Sequence, residues 1–144
     1  MFEISQARVI DAYNVANRIP EFSQGHYGLN EYEKRLGVGS HILVGYYGGI
    51  PAGFKVGYPG GAEGSFYSWM GAVMPDYRRK GLAQKLADQQ EHWAKAQGYT
   101  KIWFKTRNRN RAMIIFALNN GFSITEVQPR QHIMDHRILM KKSL

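Results

Sequence analysis

Cysteine is absent from all 144 residues, which removes disulfides, thiolate nucleophiles and cysteine-based zinc sites from consideration. A cysteine-free chain suits a reducing compartment, and the expected location is cytoplasmic. Long apolar runs are also missing: none approaches the roughly 20 residues a membrane helix needs. The opening MFEISQAR has no signal-peptide core, so no membrane partner is expected. Linkers, repeats and low-complexity tracts are lacking as well, and 1–144 therefore reads as a single domain with room for a real core.

Acidic residues are scarce. Eleven Asp and Glu stand against 19 Lys and Arg, a formal net charge of +8. Such an excess serves either nucleic acid or a polyphosphate ligand. The cations fall in short clusters at 78–80, 105–111 and 137–142 rather than in a basic tail, which argues against nucleic acid. His92, His132 and His136 have no metal-ligand spacing supported by neighbouring acids, so no metal is expected.

What is present is a mixed α/β pattern. Ser5 stands as the N-cap of a first helix over 6–18, in which Val9, Ala12, Tyr13 and Ala16 recur at helical spacing until Pro20. A polar loop from Phe22 to Asn30 precedes a short helix over Glu31–Leu36. His41–Tyr47 and Pro51–Tyr58 form a hairpin about Gly48-Gly49, and Ser65–Met74 is a third strand. From Leu82 the period is helical, with Leu86, Ala87, Trp93 and Ala94 on one face and Gly98 as terminator. Lys101–Thr106 is a strand parallel to 65–74. Arg111–Asn119 is apolar on most sides and reads as a buried helix. Phe122–Val127 and Arg137–Lys141 are the last strands, and the latter offers an exposed edge for pairing in a homodimer.

The chain is organised around GAVMPDYRRKGLAQ, residues 71–84. A strand ends before Pro75, three cations follow, and Gly81-Leu82-Ala83 opens a helix. Amides at a helix start lack intrahelical partners and sit at the positive end of the dipole, so this turn is a site for phosphate.

Arg78-x-x-Gly81-x-Ala83, led in by Val73-x-Pro75, resembles the R/Q-x-x-G-x-G/A signature of the GCN5-related N-acetyltransferases (GNAT). Asn110, the apolar helix after it and Gly121-Phe122 resemble the family's second motif. The resemblance implies a GNAT-like fold: a mixed, mostly antiparallel sheet with one parallel, splayed strand pair and about four helices. It implies acetyl-CoA as co-substrate and direct acetyl transfer to a primary amine of a small molecule or peptide. Ala72 and Val73 would meet the pantetheine, and the Val73 amide would polarise the thioester carbonyl. Arg78, Arg79, Lys80, Gly81, Leu82 and Ala83 would hold the pyrophosphate. Asn110 and Met113 would approach from the next helix, with Arg107, Arg109 and Arg111 near the 3′-phosphate or simply solvated. The first two helices would wall the acceptor cleft through Phe22, Tyr27 and Tyr32.

Two departures bear on catalysis. The family's tyrosine acid aligns with Ala117, beside Phe116, and strand 65–74 has no carboxylate. Tyr67, Glu63, His41 and Ser68 are therefore the candidates for proton transfer, with Tyr67 first because its strand position should face the cleft, on the same face as Trp69. The aromatic density of Tyr58, Phe66, Tyr67 and Trp69 suits an apolar or cationic acceptor. A catalytically weak acyl-CoA sensor is the alternative.

Overall fold

The computed structural model describes residues 1–22 and 26–144. Seven strands and four helices follow in the order β1 (Phe2–Gln6), α1 (Val9–Ala16), α2 (Leu29–Arg35), β2 (His41–Tyr47), β3 (Ile50–Pro59), β4 (Ser65–Val73), α3 (Leu82–Ala96), β5 (Lys101–Arg107), α4 (Arg111–Asn119), β6 (Ser123–Gln128) and β7 (Arg137–Ser143). The strands lie in one sheet in the order β1-β2-β3-β4-β5-β7-β6. Its neighbours are antiparallel except β4 and β5, whose parallel ladder pairs Ser65, Phe66 and Tyr67 with Lys101, Ile102 and Trp103. The mixed, mostly antiparallel sheet with four helices is the architecture the sequence predicts.

The chain start differs from expectation. Ser5 lies in strand β1 and caps nothing, and residues 2–6 pair antiparallel with β2. Phe2 and Ile4 alternate with Glu3 and Ser5, a period of two, and these two apolar side chains pack on the cluster of Leu43, Ala52, Leu82 and Leu86. Helix α1 begins only at Val9, behind Arg8, whose main-chain N–H donates to Asp11 in a capping box. Part of the loop expected at 22–30 lies outside the described residues; Pro20–Phe22 is a 3₁₀ turn and α2 already starts at Leu29.

Two compact units divide the chain. The first comprises Met1–Pro59 and Ser68–Trp93. Its helix α3 buries Leu82 and Leu86 against Leu43 and Ala52, each large aliphatic side chain contributing about 2 kcal/mol. On α1 and α2 the buried side chains are Ala12, Val15, Ala16 and Tyr32. Within this unit Ser68 of β4 donates to Gln90 of α3, whereas Trp69 packs on the Tyr32 ring of α2 and Met70 Sδ accepts from the Tyr32 hydroxyl.

The second unit comprises Gly60–Tyr67 and Ala94–Leu144. Helix α3 ends in it with a Schellman turn: Tyr99 N–H donates to Ala94 C=O at 3.1 Å and Gly98 N–H to Lys95 C=O at 3.0 Å, with Gly98 at φ +99°. Helix α4 is not the buried helix expected. Nine residues bury one stripe, Ala117 with Ile114, on Phe104, Ile138 and Met140, while Ile115 and Leu118 are exposed. Strand β7 is likewise not an edge. It lies between β5 and β6, so Lys141 and Lys142 guard no open ladder and the sheet ends at β6.

Candidate functional site

The stretch 71–84 lies within the first unit, and its geometry follows from three constraints. After β4, Pro75–Tyr77 forms a 3₁₀ turn. Arg79 then takes φ +61° and Gly81 φ +88°, both in the left-handed region. For Arg79 this conformation costs about 1–2 kcal/mol, a local strain of the kind that gathers at ligand sites. Gly81 pays no such penalty, and a side chain added there would point into open space. Helix α3 begins at Leu82, and Lys85 N–H donates to Gly81 C=O at 3.1 Å. The amides from Arg79 to Ala83 have no hydrogen-bond partner among the described residues. Left-handed residues so close together gather consecutive N–H groups into a concave, electropositive nest at the helix start. Arg79 and Lys80 stand exposed beside it.

Arg78 has a different task. Its Nε donates to Val73 C=O at 2.8 Å, and its two terminal nitrogens grip Glu21 at 2.8 Å each. Met74 N–H in turn donates to Ala52 C=O at 2.8 Å. The peptide joining Val73 to Met74 is thus held from both ends. The guanidinium holds the Glu21 carboxyl below the usual carboxylate range, chiefly through these hydrogen bonds.

A second assembly in the same unit is aromatic. The Tyr32 ring is fully buried and meets Trp69 at 4.9 Å, Tyr13 at 5.4 Å and His26 at 5.4 Å between centroids. Its hydroxyl donates to Met70 Sδ at 3.5 Å and lies 3.1 Å from His26 Nε2. Burial, then the nearby Tyr13 and Tyr27, push the Tyr32 phenol well above its ordinary range. The His26 ring stacks on Phe22 at 5.1 Å and 9°. The Arg35 guanidinium lies 4.7 Å from the Trp69 ring and 5.1 Å from the Tyr27 ring, bonded to Glu31 at 2.7 Å and to the Tyr58 hydroxyl at 3.0 Å. The cation on the Tyr27 and Trp69 faces is the chain's own Arg35.

The four candidates for proton transfer are divided between the two units. His41 is 3% exposed and stacks on Trp93 at 4.2 Å, and burial lowers its pKa to about 4. Ser68 is buried with its hydroxyl on Gln90. Both face α3. In the second unit, Tyr67 is buried, stacked on Trp103 at 4.4 Å with Lys105 Nζ 5.5 Å over its ring. Glu63 is exposed in the loop between β3 and β4. Asn110 donates to Thr106 Oγ1 at 3.0 Å, and Met113 is 36% exposed. Arg107 donates to the Asp135 carbonyl at 3.1 Å and Arg109 pairs with the Asp135 carboxylate, so both tie down the loop before β7.

Residues 8–122 match the profile of the Acetyltransferase (GNAT) family. The chain belongs to the GNAT acetyltransferases. Solved structures agree in fold at low identity. The ribosomal-protein-S18-alanine N-acetyltransferase of Escherichia coli superposes with a TM-score of 0.84 at 20% identity, over 99% of this chain and 94% of that one. Ard1 of Thermoplasma volcanium gives 0.83 at 21% identity, over 99% and 97%. For yncA of Salmonella typhimurium, solved with its cofactor acetyl-CoA, the values are 0.79 and 19%, over 100% and 94%. No curated protein matches the sequence. Within the GNAT frame the sequence signals that went unread are His26, Arg35 and Glu21, spread through the loop and helix after α1, where no short motif marks them.

Proposed function

We propose that this GNAT protein transfers an acetyl group from acetyl-CoA directly to a primary amine. The observation that carries the reading is the nest of unpartnered amides from Arg79 to Ala83 in front of α3, open above Gly81 and flanked by Arg79 and Lys80. These groups would take the pyrophosphate, an anion matched to the dipole and the two side-chain charges. Ala72 and Val73, at the end of β4, would bond the pantetheine, and the Val73 amide would stabilise the oxyanion as the amine attacks. When bound, acetyl-CoA supplies the activated acetyl group; the residues here bind and orient it. Arg78 keeps the strand end rigid through Val73 and Glu21 instead of adding its charge to the phosphates. Asn110 and Met113 remain the residues that the family motif assigns to the pantetheine arm.

The acceptor is a small-molecule amine or a peptide amine. The likeness to an S18-alanine N-acetyltransferase makes a peptide beginning with alanine a natural first member of the test panel.

Calorimetric titration with CoA, followed by thiol release from acetyl-CoA with an alanine-initiated peptide, a lysine peptide, spermidine and tryptamine, tests the reading. Gly81→Glu is expected to abolish CoA binding, because a side chain and a negative charge enter the nest at a φ of +88° that side chains rarely adopt. Retained binding in Gly81→Glu would overturn the placement of the pyrophosphate. One observation favours a sensor instead: Ala117, at the position of the customary tyrosine acid, is buried on Ile138 and Met140 and has no hydroxyl. Tight CoA binding with no turnover on any of the four amines would decide for the sensor.

A further inference from the structure

We propose that His26 is the base that takes the proton of the acceptor ammonium, held in one tautomer by Tyr32. The inference rests on the acetyl-transfer reading and supplies the group that reading lacks, because β4 carries no acid and Ala117 has no proton to give.

Two contacts of one hydroxyl assign the tautomer: Tyr32 Oη lies 3.5 Å from Met70 Sδ, which can only accept, and 3.1 Å from His26 Nε2. With its single proton given to the sulfur, the oxygen accepts from His26 Nε2–H. A neutral imidazole carries one N–H, so Nδ1 is left with its lone pair. Phe22, nearly parallel at 9°, clamps the ring, and Tyr13 lies parallel further off at 6.4 Å. The ring is half-buried, so it is held on its flat faces without being sealed from solvent.

The surroundings keep it neutral. The titratable groups that face it are Tyr13 of α1, Tyr27 beside it in the chain and Tyr32 of α2; Phe22 stacks on its ring. Burial alone sets the direction, lowering the imidazole's affinity for protons, so at neutral pH the ring arrives unprotonated. The carboxylates nearest in sequence are committed elsewhere: Glu21 to Arg78 and Glu31 to Arg35. Each is held as an anion on a guanidinium and makes a poor base.

Position along β4 supplies the link to the chemistry. Tyr32 joins His26 to Trp69 and Met70, and Val73 lies three residues on, roughly 10 Å along a strand. In the step itself, the acceptor R–NH3⁺ gives one proton to Nδ1 and its nitrogen lone pair is freed. The amine nitrogen bonds to the thioester carbonyl carbon, and the C–S bond breaks with its electron pair going to sulfur. The nitrogen loses its second proton as the amide forms. One of the two protons is taken up by the departing thiolate and the other goes to solvent, so the sum is amide, CoA thiol and one proton.

Two measurements test this. Long-range ¹H–¹⁵N NMR of histidine-labelled protein in complex with CoA is expected to show His26 as the Nε2–H tautomer, and Tyr32→Phe should shift it toward a mixture. The pH profile of kcat/KM with acetyl-CoA and the best amine of the four-member panel should fall on the acid side with the pKa that NMR reads for His26. His26→Gln is expected to lose roughly 100-fold or more in kcat/KM, the usual scale of a lost general base, and to lose that limb of the profile while CoA affinity changes less than about threefold. An Nδ1–H tautomer in the wild type, or an unchanged rate and limb in His26→Gln, overturns the proposal. If His26→Gln fails to fold, the wild-type tautomer and the Tyr32→Phe shift decide alone. An active wild type with an unmoved limb in the variant sinks only the role of His26; a wild type that binds CoA and acetylates no amine removes the acetyl-transfer reading as well.

Discussion

Acidification should unfold this protein through His41 before its carboxylates titrate. The imidazole is 3% exposed, stacked on Trp93, and its Nδ1 has no hydrogen-bond partner among the described residues. Its pKa in the fold is about 4, against 6.5 for an unperturbed histidine. The folded pKa lies below the unfolded one, so between these values the unfolded chain binds more protons and stability falls as pH falls. The contribution is complete above about pH 6.5 and is lost on the way down to about pH 4. With 1.36 kcal/mol per unit, the gap of about 2.5 units amounts to about 3 kcal/mol, of which about 2 is gone by pH 5. His41→Phe keeps an aromatic ring against Trp93 and cannot titrate. Urea denaturation of both proteins at pH 7, 6 and 5 should therefore show the wild type losing about 2 kcal/mol more than the variant. For an m-value of about 2 kcal/mol per molar, that difference is a midpoint shift of about 1 M. Contributions from His26 and the exposed acids are common to both proteins and cancel in the comparison. Parallel pH dependence would refute the reasoning, as would an NMR titration of His41 with a midpoint near 6.5.

Other substitutions test the site. Arg79→Gly removes the strain of φ +61° and is expected to stabilise the fold by about 1 kcal/mol in thermal or urea unfolding, while weakening CoA binding severalfold through the lost charge; equal or tighter binding would show that this cation plays no part. Tyr67→Phe preserves the stack on Trp103 and the Lys105 contact, so turnover should change less than about threefold. A loss beyond tenfold at unchanged CoA affinity would restore the Tyr67 hydroxyl to the chemistry. Glu21→Gln leaves Arg78 with a weaker partner and should raise the pantetheine-dependent part of CoA affinity loss, measured as CoA against 3′,5′-ADP; equal losses for both ligands would mean that the Arg78 tie does not steady Val73.

The fold was legible where residues of one kind recur at a clear period. Strand β2 (His41–Tyr47) and helix α4 (Arg111–Asn119) begin and end at the expected residues. Gly98 closes α3 as foreseen because a left-handed terminator leaves a mark in a single residue. Strand β1 was hidden because five residues with only two apolar side chains also fit the run-up to a helix. The burial of α4 was misjudged because composition tells how many apolar residues a helix carries, whereas its neighbours decide how many it can cover. The left-handed turn before α3 was readable from Gly81, since φ and motif coincide there. The surroundings of His26 and Arg35 were not readable: Arg35 meets Tyr58, 23 positions on, and Trp69, while the Tyr32 hydroxyl beside His26 reaches Met70, 38 positions on, and only the folded sheet assembles these contacts.

Helix α3 starts where it does because two glycines on neighbouring strands make room for one leucine. A Cβ at Gly45 would lie 2.8 Å from Leu82 Cδ1, and one at Gly53 would lie 2.9 Å from the Ala72 carbonyl oxygen and 3.1 Å from Leu82 Cδ2. Leu82 follows directly on Gly81, so whatever moves that leucine re-aims the nest. A survey of substitutions scored by cofactor affinity should then return Gly45 and Gly53 among its strongest hits, although the nest amides belong to residues more than 20 positions further along the chain. Their effect would be steric and transmitted, and it would mark the strands as the mould in which the proposed phosphate site is cast.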